Sequence, residues 1–307
     1  MKSIAITGAT SMIGTALIDT AIKKGTEVYA IVRPGSNRMD RLPASPLVHV
    51  LYSQLDGLTE LQDISSKCEC FYHFAWAGTT RTERDDPRIH EGNVRYTLDA
   101  VELAAKMGCY RFIGAGSQAE YGIVDGAINN TTRFAPTTAY GAAKLTSGIL
   151  GKKRCEQLGL EHVWGRIFSV YGPHDNEGTM INTAIDDFIA GRTAHFSSAT
   201  QIWNYLYETD AGEMFYRLGE KRIKPDTYFI ANRESKVLKE YIQQIIEQFG
   251  ETARYEFAEK TTGSVSGLNV DMTLTDKELN YYPKVSFREG IAKTVKARRK
   301  RSTSNTD

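Results

Sequence analysis

Short apolar runs alternate along the first half of the chain with longer stretches in which apolar residues recur every three or four positions. The run "KSIAIT" (2–7) ends in Gly8, and "SMIGTALIDTAIKKG" then keeps helical spacing up to a glycine stop at Gly25. The run "EVYAIVR" follows at once. The opening 33 residues therefore predict strand, tight turn, helix and strand, a βαβ unit of about the minimum length. Further runs stand at 47–51 ("LVHVL"), 71–75 ("FYHFA"), 110–115 ("YRFIGA") and 161–169 ("EHVWGRIFS"), with helical stretches at 93–108 and 138–159. Strands alternating with helices of this length predict an α/β fold, a Rossmann-type, doubly wound parallel sheet.

After about residue 170 the rhythm breaks. "YGPHDNEGTM" is turn-rich, and only "WNYLY" (203–207) and "TYFI" (227–230) read as strands before a helix-like segment at 235–248. The expected organisation is a dinucleotide-binding domain over 1–170, rejoined by the strand near 226–231, and a smaller C-terminal substrate-binding lobe over 171–295. The last residues, 296–307 ("KARRKRSTSNTD"), are basic and then polar, and are expected to be a frayed tail.

Composition narrows the partners. With 38 Lys+Arg against 37 Asp+Glu, the net charge of +1 exerts no pull toward nucleic acid or an anionic membrane. No apolar run reaches the roughly 18 residues that a membrane span needs, and a cytoplasmic protein is expected. The four cysteines include one C-x-C (Cys68, Cys70), but no second pair completes a zinc site, so reduced, buried thiols and no metal are expected.

The turn "TGATSMIG" (7–14) lies where a dinucleotide-binding turn belongs, after the first strand and opening the first helix. Gly8 suits the sharp turn and Gly14 the close packing of helix on strand, while the helix N-terminus offers N–H groups to a pyrophosphate. Ser11 replaces the middle glycine, and its hydroxyl is able to bond a phosphate oxygen. At the end of the second strand a carboxylate would favour NAD and a basic residue NADP. Here the strand ends in Arg33, with Asn37 and Arg38 beyond and no carboxylate before Asp40, which favours NADP, with NAD as the alternative.

In "TTAYGAAKLTS" (137–147), Tyr140 and Lys144 stand four apart and share a helix face. A nearby ammonium and a cationic nicotinamide would both favour the phenolate of a tyrosine acting as acid or base. Upstream, "RFIGAGSQAEYG" puts Ser117 just past a predicted strand end, the edge where open α/β sheets bind ligands. Together with the glycine turn, these residues resemble the extended short-chain dehydrogenase/reductase family of nucleotide-sugar epimerases, dehydratases and reductases. "YHFAW" resembles its H-x-A-A strand end, Asn93 its fourth-helix asparagine, and "GRIFSVYGP" its R-x-x-N-V-Y-G-P segment; the likeness spans about residues 3–295.

The resemblance implies that Tyr140 exchanges the proton at a sugar oxygen, that Ser117 bonds the same oxygen, and that Lys144 tunes Tyr140 and grips the nicotinamide ribose. It extends the cofactor set to Met12, Ile13, Gln54, Phe74, Ala75, Trp76, Asn93 and Ile167. The implied substrate set is Gln118, Ser169, Met180 and Trp203. Ser169 stands where the family has asparagine and Trp203 where many members have a phosphate-binding arginine; Arg192 and His195, nearby in sequence, are either substitutes for it or, the favoured reading, ordinary surface residues. A homodimer through the 93–108 and 138–159 helices is also implied.

Dehydratases of the family follow the serine with an Asp-Glu pair, whereas Gln118 and Ala119 stand here, an amide and a methyl that cannot move a carbon-bound proton. Glu120, one position on, is a partial stand-in. "GSQAEYG" with "WNYLY" resembles the subset that reduces 4-keto-6-deoxy sugar nucleotides, such as CDP-paratose and CDP-abequose synthases. The expected activity is therefore NADPH-dependent reduction at C4. The alternatives are an NAD-dependent 4-epimerase, a dehydratase, or a non-catalytic NADP sensor.

Overall fold

Runs such as Cys70–His73 and Arg111–Ser117 are buried at every position, alternating faces included, because helices cover both sides of the sheet they enter. The computed structural model describes residues 1–61, 68–80, 82–259 and 267–304. Its centre is one seven-stranded sheet: β1 (Ser3–Thr7), β2 (Glu27–Val32), β3 (Val48–Tyr52), β4 (Cys70–His73), β5 (Arg111–Ser117), β6 (Glu161–Ile167) and β7 (Thr227–Ile230). In space the order is β7-β6-β5-β4-β1-β2-β3, and every pairing is parallel. The fold is α/β and Rossmann-type, and the order reverses between β1 and β4, the switch point at which such sheets take ligands.

Helix α1 (Met12–Lys23) connects β1 to β2, and α2 (Pro87–Lys106) and α3 (Ala139–Leu158) pack together beside β4, β5 and β6. Helix α2 starts six residues before the stretch beginning at Asn93, because Asp86 accepts from Arg88 N and Pro87 takes the first helical position. Helix α3 is capped by Thr138 and ends on Gly159 in the left-handed region. It approaches the sheet closely because Gly114 and Gly116 of β5 and Gly148 of α3 leave a slot for the Trp164 ring; a Cβ on Gly114 would lie 2.1 Å from that ring.

Beyond β6 the chain forms α4 (Met180–Ile189), α5 (Glu208–Leu218), α6 (Leu238–Glu247), α7 (Thr273–Leu279) and α8 (Phe287–Ser304), with several two-stranded pairs between them. A second apolar cluster, including Tyr171, Ile185, Ile242 and Ile291, brings α4, α6 and α8 together. The basic segment from 296 is not a frayed tail as far as Ser304: it is the last turns of α8. Arg298 there is buried and paired with Asp186 and with Glu177 at 2.9 Å, so two opposite charges hold the helix end in place. Residues 305–307 lie outside the described residues.

All four cysteines are free and buried; burial pushes the Cys68 and Cys155 thiols up to about 12 and that of Cys70 to about 11, so none is a nucleophile at neutral pH. No described helix is long and apolar enough to cross a membrane.

Candidate active site

A cleft of about 710 Å³ opens at the carboxyl ends of β1, β2 and β4. Gly8 and Ser11 line it from the turn after β1, Arg33, Asn37 and Arg38 from the loop after β2, and Gln54 from the end of β3. Phe74, Ala75 and Trp76 close it from the segment after β4. At Gly8 the backbone has φ +71°, and a Cβ would stand 2.7 Å from Ala75 N, so only glycine lets the two backbones meet. Ser11 caps α1 by accepting from Gly14 N at 3.1 Å, which leaves its own O–H free to donate. The N–H groups of Met12 and Ile13 have no hydrogen-bond partner among the described residues. A glycine cradle, open helix-terminal donors and a basic far end suit a dinucleotide's pyrophosphate and ribose.

Five of the expected cofactor residues do not line the cleft. Met12 and Ile13 open α1 and offer only their backbone N–H groups, and Gly14 packs on the turn, where a Cβ would come within 2.3 Å of Gly8 O. Asn93 is buried and clamps the backbone of Ala77, accepting from its N–H and donating to its carbonyl at 2.9 Å each. It shapes the wall from behind. Ile167 ends β6 and packs against the main core.

The expected catalytic residues lie where β5 meets α3. Ser117 is the last residue of β5 and accepts from Ala119 N at 3.2 Å, which closes the short turn that follows. Tyr140 and Lys144 occupy the first two turns of α3, and the Ser117 side chain acts on the Tyr140 hydroxyl, lowering its pKa. All three expected catalytic residues come together. Lys144 Nζ donates to Ala115 O at 2.8 Å and faces the Trp76 ring, 3.6 Å from its centroid. Burial drives the Lys144 pKa down to about 7, with the Glu120 charge opposing that fall.

Burial raises the Tyr140 pKa, and the two influences that hold it down are Arg84 and the Ser117 side chain. The Arg84 guanidinium stands 4.4 Å over the Tyr140 ring, whereas Lys144 is 5.9 Å from that centroid. The cation nearest the phenol is thus Arg84 and not, as expected, Lys144. Nothing in the sequence of the loop after β4 marked Arg84; its position follows from Tyr140 N donating to Arg84 O and Asp85 accepting from Ala139 N.

Glu120 is no stand-in for a dehydratase acid. Its carboxylate is fully buried, takes both the Nε and an Nη of Arg166 at 2.9 and 2.7 Å, and accepts from Trp164 Nε1 and Ser117 N. Every lone pair faces a donor, so it orders the turn carrying Ser117 and presents no lone pair to a substrate.

The expected substrate residues lie on several elements. Gln118 is half-buried in the turn after Ser117. Ser169 starts a short strand whose partner places Tyr205 opposite it. Met180 opens α4, half-buried against the second cluster, and the Trp203 Nε1 is a buried donor with no partner among the described residues. Arg192 and His195 are not free substitutes for the missing arginine, since each faces a surface carboxylate, Asp187 at 2.8 Å and Glu256 at 3.3 Å. Among the described residues no group of His, Cys, Asp and Glu is arranged to hold a metal.

Residues 4–231, most of the chain and all seven sheet strands, match the model of the "NAD dependent epimerase/dehydratase family". The chain belongs to that family. It is 22% identical to an uncharacterized UDP-glucose epimerase, YtcB, of Bacillus subtilis (95% of this chain, 96% of that one). It is 23% identical to a UDP-glucose 4-epimerase of Mycolicibacterium smegmatis (97% and 98%). In fold it is similar to the UDP-glucose 4-epimerase of Thermotoga maritima solved with UDP-glucose, at a TM-score of 0.85, 21% identity and coverage of 98% and 99%. The UDP-glucuronic acid 4-epimerase of Bacillus cereus, solved with UDP-glucuronic acid and NAD, is similar at a TM-score of 0.85, 20% identity and coverage of 97% and 99%.

Proposed function

We propose that this family member is an NADPH-dependent reductase acting at C4 of a nucleotide-activated 4-keto-6-deoxy sugar. The observation that carries this reading is the far end of the cleft, where Arg33, Asn37 and Arg38 line the loop after β2 and no carboxylate stands between residues 33 and 39. A 2′-phosphate needs such cations, and an enzyme that recycles a tightly held NAD does not.

The bound dinucleotide supplies the hydride. Tyr140 protonates the C4 oxygen as charge builds on it, and Ser117, which acts on the Tyr140 hydroxyl, donates to the same oxygen. Arg84 over the ring makes the phenol a stronger acid than burial alone would allow. Lys144, with its pKa near 7, gains full charge when it meets hydroxyl acceptors in place of the Trp76 face. Gln118 and Ala119, together with the committed carboxylate of Glu120, leave no group for water elimination. Two copies pair through α2 and α3, a reading supported by Ile149 and Leu150, which α3 leaves exposed.

An NAD-dependent 4-epimerase is the second reading, favoured by the epimerases among the similar proteins. Absorbance at 340 nm with NADPH or NADH and a panel of 4-keto-6-deoxy nucleotide sugars separates the two. The reductase consumes NADPH in preference to NADH with one of them, and Tyr140→Phe abolishes turnover while retaining NADPH. Interconversion of ordinary nucleotide hexoses by protein carrying NAD, with no ketosugar reduced, overturns the reductase.

A further inference from the structure

The residues lining the cleft run from the loop after β2, across the glycine turn, to Trp76 and Ala77; Tyr140 and Lys144 are not among them. What stands between is the Trp76 indole. One ring face covers the Lys144 ammonium at 3.6 Å, the ring meets Tyr140 edge-on at a centroid distance of 6.0 Å, and Nε1 reaches His90 Nδ1 at 3.3 Å. His90 is itself buried, with its other nitrogen 3.1 Å from Arg84 O. The indole is therefore held by a cation, a hydrogen bond and an aromatic edge, in the place a dinucleotide would cross to reach the Tyr140–Lys144 pair. Trp76 also stands at the last position of the segment that resembles H-x-A-A, where alanine would leave that passage open.

We propose that Trp76 is a positioning residue that closes the nicotinamide end of the cleft, holding Lys144 against its ring until a dinucleotide displaces it. This rests on the reading of the cleft as a dinucleotide site. The closed arrangement competes with the whole dinucleotide, but not with a fragment that fills only the adenosine end. Entry breaks the contact with Lys144 and the bond to His90, and the free energy lost there lowers the affinity for the whole ligand. Once displaced, the indole leaves the ammonium free to turn to ribose hydroxyls.

The test compares wild type, Trp76→Ala and Trp76→Phe by calorimetry, with NADP, NADPH and adenosine 2′,5′-bisphosphate as ligands. Removing the plug should tighten NADP and NADPH binding about tenfold, with Trp76→Phe in between, and leave the bisphosphate unchanged. Intrinsic tryptophan fluorescence should change when wild type binds NADP and change much less in Trp76→Phe, where Trp164 and Trp203 remain. Equal or weaker dinucleotide binding by Trp76→Ala, or a parallel gain for the bisphosphate, overturns the proposal. If wild type binds neither dinucleotide nor bisphosphate, the reading of the cleft fails instead.

Discussion

Replacing Lys144 with methionine should make the protein more stable at neutral pH while destroying its activity. The side chain is 5% exposed, and burial lowers its pKa from 10.5 to about 7. Below pH 7 both folded and unfolded chains carry the charge and the penalty is complete. Between 7 and 10.5 the unfolded chain holds a proton that the folded chain has released, so the penalty shrinks as pH rises. At about 1.4 kcal/mol per pKa unit, the penalty at pH 7 is roughly 4 kcal/mol relative to a neutral side chain. Methionine keeps the apolar stem but gives up the bond to Ala115 O and the charge on the Trp76 face, a loss of about 1 to 2 kcal/mol together, which leaves a net gain of roughly 2 to 3 kcal/mol. Urea denaturation of both proteins from pH 7 to 9.5 is the assay. The gap should close by roughly 3 kcal/mol over that range. A gap that does not change with pH, or a methionine variant less stable than wild type at pH 7, refutes the reasoning that burial of the ammonium governs this site.

Three further outcomes follow from other parts of the structure. Glu120→Gln leaves the buried Arg166 without its counter-charge and should cost about 3 to 5 kcal/mol in urea denaturation, far more than an exposed pair would. Gly8→Ala forces a left-handed residue against the Ala75 backbone; it should lose about 1 to 3 kcal/mol in stability and lose dinucleotide binding by calorimetry. Arg33→Ser removes one cation from the far end of the cleft. It should weaken NADPH binding by roughly ten- to a hundredfold, the range of one charge-assisted hydrogen bond, and leave NADH within about twofold.

The parts of the site that could be read directly were those governed by local chemistry. The i, i+4 spacing placed Tyr140 and Lys144 on one face of α3, and the strand-end position of Ser117 brought it to the same point. The glycine turn was legible because a left-handed residue between strand and helix has few alternatives to glycine. Glu120 and Arg84 were not legible. Glu120 neighbours the serine as a catalytic acid would, and only Arg166 and Trp164, far along the chain, turn it into a structural ion pair. Arg84 acts on Tyr140 through a contact between a loop and a helix, and no periodicity records such a contact. The basic end of α8 was misread for the same reason, since composition shows a run of charge but not the carboxylates on α4 and before it that neutralise Arg298.

The period of apolar positions and the residues at strand ends determined the α/β alternation, the glycine turn and the shared face of Tyr140 and Lys144, because each depends on neighbours within a few residues. Tertiary structure alone decided which charges are paired and which ring covers Lys144. Those properties depend on burial and on partners brought together from distant segments, and a side chain's free energy in water says nothing about either until the chain has folded around it.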